Sequence, residues 1–479
     1  MALHIDVPAA GSRGRIAALH RQIRAAILDG RLAGDVRLPT TRELAASLGV
    51  SRNTVVAAYE HLTSEGYLVS RRRAGTFVAP RTPAPRAAGD PGRSPSLGAL
   101  PQAWRAVAPW AGEAMSAGPR FDFRVGLPDH SQLPWDVWRR LGVRAQRDFA
   151  RTPRAYTDPA GEPALREAIA AHVSASRAVA CGADDVVITS GAQHAFSLLA
   201  DLLVLPQQTV VAVEDPGYPP LQAAMAFRGA RLHRTPLDDE GLRIDRLPAS
   251  ATVVCVTPSH QFPVGTAMSL GRRTQLLAFA RQHRAAIIED DYDGEFRFGG
   301  RPLDALHSLD DRGAVFYVGT FSKVLFPALR VGFVVAPAWA RERLAAILHA
   351  TQGAPALLSQ LTLAAFIREG HLGRHVRRMR RVYEARRDSL LRAIEQHAGG
   401  LLMPLPSAAG LHVSAMLAPP LEAGIIAQRA AAAGIAVEPL DRSGRRRPRY
   451  NGLTFGLGLI GDEQVAAGIR ALAKLTTSA

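Results

Sequence analysis

The 479-residue chain predicts an α/β protein in two unequal parts. A small helical unit closed by a hairpin spans residues 1–80, and a large α/β unit on a parallel sheet spans 120–479. Three observations carry this. Short amphipathic patterns with helix caps crowd the first 80 residues. From about 120 onward, apolar strand-like runs alternate with longer amphipathic stretches. Between them, PRTPAPRAAGDPGRSPSLGALPQ, residues 80–102, is dense in proline, glycine and serine and has little to bury, so 81–119 reads as a semi-flexible linker.

In LPTTRELAASLGVSRNTVVAAYEHLTSEGYL, Thr40 followed by Glu43 makes a capping box, Leu44 and Leu48 an apolar stripe, and Gly49 a stop. Ser51 caps a second helix whose buried face is Val55, Tyr59 and Leu62, leaving Arg52, Asn53 and Thr54 at its exposed start. That is a helix-turn-helix, in which the second helix enters the major groove: Arg52 donates to guanine edges or phosphates, and Asn53 and Thr54 suit shorter contacts. GYLVSRRRAGTFVA follows as two short strands with Arg71, Arg72, Arg73 and Gly75 at the tip, a basic wing. Residues 1–80 hold eleven arginines against six carboxylates, and the whole chain carries +16. A polyanionic partner, double-stranded DNA, is therefore expected.

In the larger part, VVITSGAQHAF reads as a buried strand from Val186, a tight turn at Ser190 and Gly191, and a helix opening with Ala192 and Gln193, whose free N–H groups suit a phosphate. AAIIEDDYDGEF reads as a strand from Ala285 to about Glu289, with Asp290, Asp291 and Tyr292 where it emerges. Ligands gather at such strand ends. A carboxylate there holds a pyridinium nitrogen protonated, and a tyrosine hydroxyl reaches a phenolic oxygen. AVFYVGTFSKVLFPALR then delivers Lys323, flanked by Thr320 and Ser322, with Arg330 seven residues on. Of 58 basic residues only Lys323 and Lys474 are lysine. Arginine serves wherever a charge suffices, but only lysine sheds its proton when buried and condenses with an aldehyde. A phosphate-binding turn, an acidic strand end and a Schiff-base lysine together specify pyridoxal 5′-phosphate.

Cys181 and Cys255 match no metal or redox spacing and read as packing residues, and no metal site is expected. No apolar run approaches membrane length and the N-terminus has no signal-peptide stretch, so a cytoplasmic protein without a membrane partner is expected.

Residues 13–79, with LPTTREL, LGVSRNTV and GTFV, resemble the winged-helix domain of GntR-family regulators, which implies that Arg42, Arg52 and the wing around Gly75 touch DNA, with Ser51 at the helix start. Residues 120–475 resemble fold-type I aminotransferases through the blocks above and through YTDPAGEPALREAIA, EDPGYPP and TPSHQFPVG. That resemblance implies a smaller α+β C-terminal lobe. It also implies a homodimer in which Tyr156 reaches the partner subunit's cofactor phosphate, and places Tyr218 near the cofactor ring. The fusion resembles the MocR subfamily of regulators.

Two departures stand out. The block that carries an asparagine in aminotransferases reads PSHQFPVG, making His260 the candidate beside the phenolic oxygen. The carboxylate-binding arginine of a pattern like LRLGF is replaced in GLTFGLG by Thr454, with Arg445, Arg446, Arg447 and Arg449 nearby. A hydroxyl is no bidentate fork. The expected function is thus a regulator that senses an amine, an unusual amino acid or a vitamin form of the cofactor. The alternatives are an active aminotransferase carrying a DNA-binding domain and a scaffold that binds no cofactor.

Overall fold

The computed structural model describes residues 5, 14–80, 118–151, 157–298, 303–352, 356–440 and 450–477. The expected linker up to 117, Tyr156 and the arginines at 445–449 lie outside these. The chain divides into two compact units, Met1–Leu100 and Pro101–Ala479.

In the first unit, α1 (Arg15–Leu28), α2 (Thr41–Leu48) and α3 (Arg52–Ser64) precede the hairpin β1 (Leu68–Arg71) and β2 (Gly75–Val78). The capping box is formed: Thr40 Oγ1 accepts from the Glu43 N–H at 3.3 Å, and Glu43 Oε2 from the Thr40 N–H at 2.8 Å. Gly49 ends α2 in the left-handed region, and Ser51 Oγ accepts from the Thr54 N–H. Leu19 and Ile23 of α1 share a core with Val55, Tyr59 and Leu62 of α3. That buried stripe fixes which face of α3 is left for a partner.

The second unit runs β3 (Phe121–Asp122), α4 (Trp135–Arg151), α5 (Pro163–Arg177), β4 (Val186–Thr189), α6 (Ala192–Leu203), β5 (Val210–Asp215), α7 (Pro219–Phe227), β6 (Arg231–Asp238), β7 (Gly241–Leu242), β8 (Ala251–Val256), α8 (Leu270–His283), β9 (Ala286–Asp291), β10 (Val315–Thr320) and β11 (Gly332–Val335). Its eight-stranded sheet has the order β4-β11-β10-β9-β8-β5-β6-β7. The sheet is mixed, not uniformly parallel: β5, β6, β8, β9 and β10 pair in parallel, whereas β11 is antiparallel to both its neighbours and β7 to β6. The strands read as near-continuous apolar runs because both sheet faces are covered. Val187, Phe316 and Val334 pack against α6 and α7 on one side, while Val254, Ile287 and Val315 pack with Leu276 of α8 on the other.

Helices α9 (Arg341–Thr351), α10 (Leu357–Arg368) and α11 (His371–Ala398) lead into the C-terminal lobe. There β12 (Leu402–Pro404), β13 (His412–Leu417), α12 (Ala423–Ala432), β14 (Ile435–Ala436), β15 (Glu438–Pro439), β16 (Gly452–Gly456) and α13 (Asp462–Thr477) build the expected α+β lobe on a sheet of order β12-β13-β16-β15. Among the described residues no helix is long and apolar enough to cross a membrane. Cys255 is buried and Cys181 partly so, each a free thiol.

Candidate functional site

In the first unit, Arg42, Ser51, Arg52 and Asn53 are exposed, while Thr54 is half-buried with its hydroxyl 2.9 Å from Ser51 Oγ. The wing turn places Arg72 and Arg73 in solvent, with Arg71 paired across the hairpin to Gly75. Arg71 is not a free tip arginine. Its guanidinium bonds Asp35 and lies 4.5 Å from the Phe77 ring centroid, so it braces the wing. Exposed Arg37, missed in the sequence, bridges to Phe77 and lies against Gly75, whose φ of +108° suits glycine.

In the second unit, strand ends and the loops after them enclose a cavity of about 490 Å³ whose wall includes Ala192, Gln193, Tyr218, Asp290, Tyr292, Thr320, Ser322, Lys323 and Arg330. Nine of the sequence candidates thus meet in one space. At one pole Gly191, with φ +85°, turns the chain from β4 into α6, so the N–H groups of Ala192 and Gln193 open the helix. Gln193 offers its backbone there, because its side chain donates to Pro220 O at 3.1 Å. The antiparallel β11 explains why Arg330 is present. It starts where β10 stops, returning the residue just ahead of it to the sheet end from which Lys323 departs. A Cβ on Gly191 would lie 3.7 Å from Arg330 Nη1, and Arg330 makes no ion pair among the described residues. Unpaired N–H groups beside a lone guanidinium form an anion site.

The two-residue period of β9 sorts its three carboxylates. Glu289 and Asp291 face away from the cavity. The first accepts the N–H groups of Leu306 and His307 at 2.8 Å, and burial pushes it up to about 7. The second holds buried Arg177. Asp290 faces the cavity, with Oδ1 buried and lacking a hydrogen-bond partner among the described residues. Burial, then the neighbouring Asp291 and Asp293, raise its pKa well above the usual carboxylate range, opposed by Lys323. Burial lowers the Lys323 pKa against the pull of Asp290 and Asp293. Its Nζ donates to Gly126 O at 2.7 Å.

His260 is corrected. It does not line the cavity. It stands behind Tyr292, whose Oη lies 2.9 Å from His260 Nδ1, and that nitrogen is also 3.0 Å from Asp293 Oδ2. Only one hydrogen fits on Nδ1. Donated to Asp293, it leaves Tyr292 accepting here, with its own proton available to the cavity. The wall position falls to Phe262, two residues on, which packs edge-on to Tyr218 at 5.4 Å. The stretch from Thr257 turns His260 inward because Gly410, at φ +90°, leaves room where a Cβ would lie 2.0 Å from the imidazole.

Thr454 is likewise off the wall, buried in β16 with its hydroxyl 3.2 Å from Ser414 Oγ. Sequence reasoning also missed Val125, Gly126, Leu411, His412 and Glu438, which complete the cavity from the segment ahead of α4 and from the C-terminal lobe. None lies in a recognisable local pattern.

A helix-turn-helix with a basic wing, joined to an α/β unit with a lysine–carboxylate–anion cavity at its strand ends, defines a DNA-binding regulator built on an aminotransferase fold. The family model for aminotransferase class I and II matches residues 122–439, and that for bacterial regulatory proteins of the gntR family matches 16–78. The chain is 37% identical to the probable rhizopine catabolism regulatory protein MocR of Rhizobium meliloti, covering 95% of this chain and 92% of that protein. It is 34% identical to the HTH-type transcriptional regulator TauR of Rhodobacter capsulatus, covering 95% of each. Among solved structures, the kynurenine aminotransferase of Pyrococcus horikoshii superimposes with a TM-score of 0.70 at 25% identity, over 79% of this chain and 98% of that one. The chain belongs to the MocR subfamily of GntR-type transcriptional regulators.

Proposed function

We propose that this chain is a cytoplasmic, homodimeric regulator that binds pyridoxal phosphate in the cavity at the strand ends and double-stranded DNA through its winged helix, and that a small effector read through the cofactor alters DNA binding. One observation carries the cofactor reading: a buried carboxylate oxygen of Asp290 without a partner faces the same cavity as Lys323 and the Arg330 anion pole. An unpaired buried acceptor is costly and calls for a donor, which a protonated ring nitrogen supplies. Lys323 would carry the cofactor, Tyr292 would meet its phenolic oxygen, and Tyr218 its ring. The helix start at Gly191, Ala192 and Gln193, with Thr320, Ser322, Arg330 and the partner subunit's Tyr156, would hold the phosphate.

When bound, the cofactor supplies an aldehyde that condenses with primary amines and a ring that withdraws electrons. Asp290 keeps a proton on the ring nitrogen, Tyr292 orients the ring through its hydroxyl, and Tyr218 and Phe262 exclude water from its face. A desolvated Lys323 amine loses its proton more easily and becomes nucleophilic. An effector that binds two arrangements of the chain unequally shifts their populations, and with them the presentation of the winged helices.

DNA contacts divide by role. The α3 start, Arg52 with Asn53 and Thr54, would read bases, and Arg42, Ser51 and the wing residues Arg71, Arg72, Arg73 and Gly75 would lie along phosphates. A binding site recovered by selection from random duplexes, followed by anisotropy titrations with and without pyridoxal phosphate, tests the regulator reading. Affinity unaffected by cofactor and amines would refute it. Arg52→Ala is expected to cost about 1–3 kcal/mol on the selected site and less on random DNA. Arg72→Ala should weaken both alike and flatten the salt dependence. Equal losses for Arg52→Ala on both DNAs would make Arg52 a phosphate contact.

The retained Lys323–Asp290 pair also favours a second reading, an active aminotransferase. Thr454 argues against it, since its hydroxyl is spent on Ser414 and common amino acids then lack an anchor for their carboxylate. A missing charge-assisted pair costs about 2–5 kcal/mol, so little or no turnover is expected with a panel of amino acids and 2-oxoglutarate. A rate near about one per second, an ordinary enzymatic value, would restore the enzyme reading.

A further inference from the structure

Far from the anion pole, the cavity wall carries a carboxylate. Glu438 of β15 lies directly across from Thr454 of β16, and Thr454 across from Ser414 of β13. Ser414 gives its one hydroxyl proton to Pro263 O at 2.6 Å, so Thr454 must donate to Ser414 and has no proton left for a ligand. Its ladder neighbour does reach the cavity. Glu438 Oε1 accepts the Val125 N–H at 3.3 Å, and the next residue, Gly126, accepts Lys323 Nζ at 2.7 Å. The carboxylate therefore stands one peptide unit from the carbonyl that holds the lysine.

Among the described wall residues Arg330 is the sole guanidinium, and it stands beside Gly191 at the opposite pole. His412 adds no positive charge, because burial and the adjacent His260 lower it to about 3. At the lysine end a ligand thus meets the carboxylates of Asp290 and Glu438. A second ligand carboxylate would be pressed against like charge in a partly dewatered space, whereas an N–H or O–H donor would gain a charge-assisted bond.

Taking the cofactor-sensor reading as its basis, we infer that the effector is a primary amine whose second polar group is a hydrogen-bond donor, an ammonium or a hydroxyl, and not a carboxylate, and that Glu438 reads this group. The test uses the full-length, cofactor-loaded protein and three probes matched in length: 1,4-diaminobutane, 4-aminobutan-1-ol and 4-aminobutanoate. Binding is followed by the shift of the visible absorption band and independently by titration calorimetry. The diamine and the amino alcohol should half-saturate at least about tenfold below the amino acid, a discrimination of about 1.4 kcal/mol, and Glu438→Gln should bring the three together. Equal or tighter binding of 4-aminobutanoate by the unmodified protein overturns the inference. So does a preference that survives Glu438→Gln, or a selective loss of 4-aminobutanoate binding in Arg445→Ala or Arg449→Ala. A visible band that no probe moves overturns this inference alone. No band, and no borohydride-fixed cofactor, overturns the cofactor reading with it.

Discussion

Replacing Lys323 with alanine is expected to abolish covalent retention of pyridoxal phosphate. In the unmodified protein, borohydride treatment should fix the cofactor's mass on the peptide containing Lys323 and leave Lys474 unlabelled. The effect is all or none because covalent attachment needs an amine at that place, and Lys323 has the only lysine amine on the described cavity wall. It is also the amine whose proton burial loosens. The anion pole and Asp290 remain in the variant, so cofactor should still bind reversibly, but without the covalent band. Labelling at Lys474, or an unchanged band in Lys323→Ala, would remove the assignment.

The second large effect is on stability. Arg177, at the end of α5, is 2% exposed. Its Nε donates to Asp291 Oδ2 at 2.6 Å, its Nη2 to Ser259 Oγ at 2.5 Å, and its Nη1 to Leu303 O. Tyr317 Oη donates to the same carboxylate at 2.6 Å. Burial alone would lower the arginine's pKa, but the charge of Asp291 outweighs it and the net shift is upward. Arg177→Met strands a buried carboxylate directly beside Asp290 and should cost about 3–5 kcal/mol of unfolding free energy. Removing both charges should cost much less, so Arg177→Met with Asp291→Asn should recover most of the loss. Urea unfolding followed by tryptophan fluorescence checks this, since all five tryptophans lie beyond residue 103. A double variant as weak as the single would mean that shape at this site, and not charge, sets the cost.

Much of the protein was legible in consecutive residues. The capping box at Thr40 and Glu43, the stop at Gly49, the cap at Ser51 and the buried stripe of α3 form as read, because each depends on a backbone turn or a helical period within a few residues. Asp290 was legible for a similar reason. Strand alternation alone sends it to the face opposite Glu289 and Asp291, although the strand runs to Asp291 and not merely to Glu289. The lysine stood out chemically, against a background of arginine. Where local pattern was not enough the reading slipped: His260 and Phe262 are two residues apart after β8, yet which of them faces the cavity depended on the space left by Gly410, on a distant segment.

The sequence by itself determined the two-unit architecture, the presence of a winged helix, and the lysine, carboxylate and anion-binding residues at the strand ends, since periodicity, caps and side-chain chemistry are written locally. Only the tertiary structure decided what surrounds them. Gly126 meets Lys323 across 197 residues, Arg177 meets Asp291 across 114, and Glu438 comes to the wall while Thr454 is turned into the lobe. The physical reason is that a cavity wall forms where elements far apart in the chain pack together. The side chains that face it are chosen by strand register, loop geometry and the volumes of neighbours, none of which a short window of residues contains.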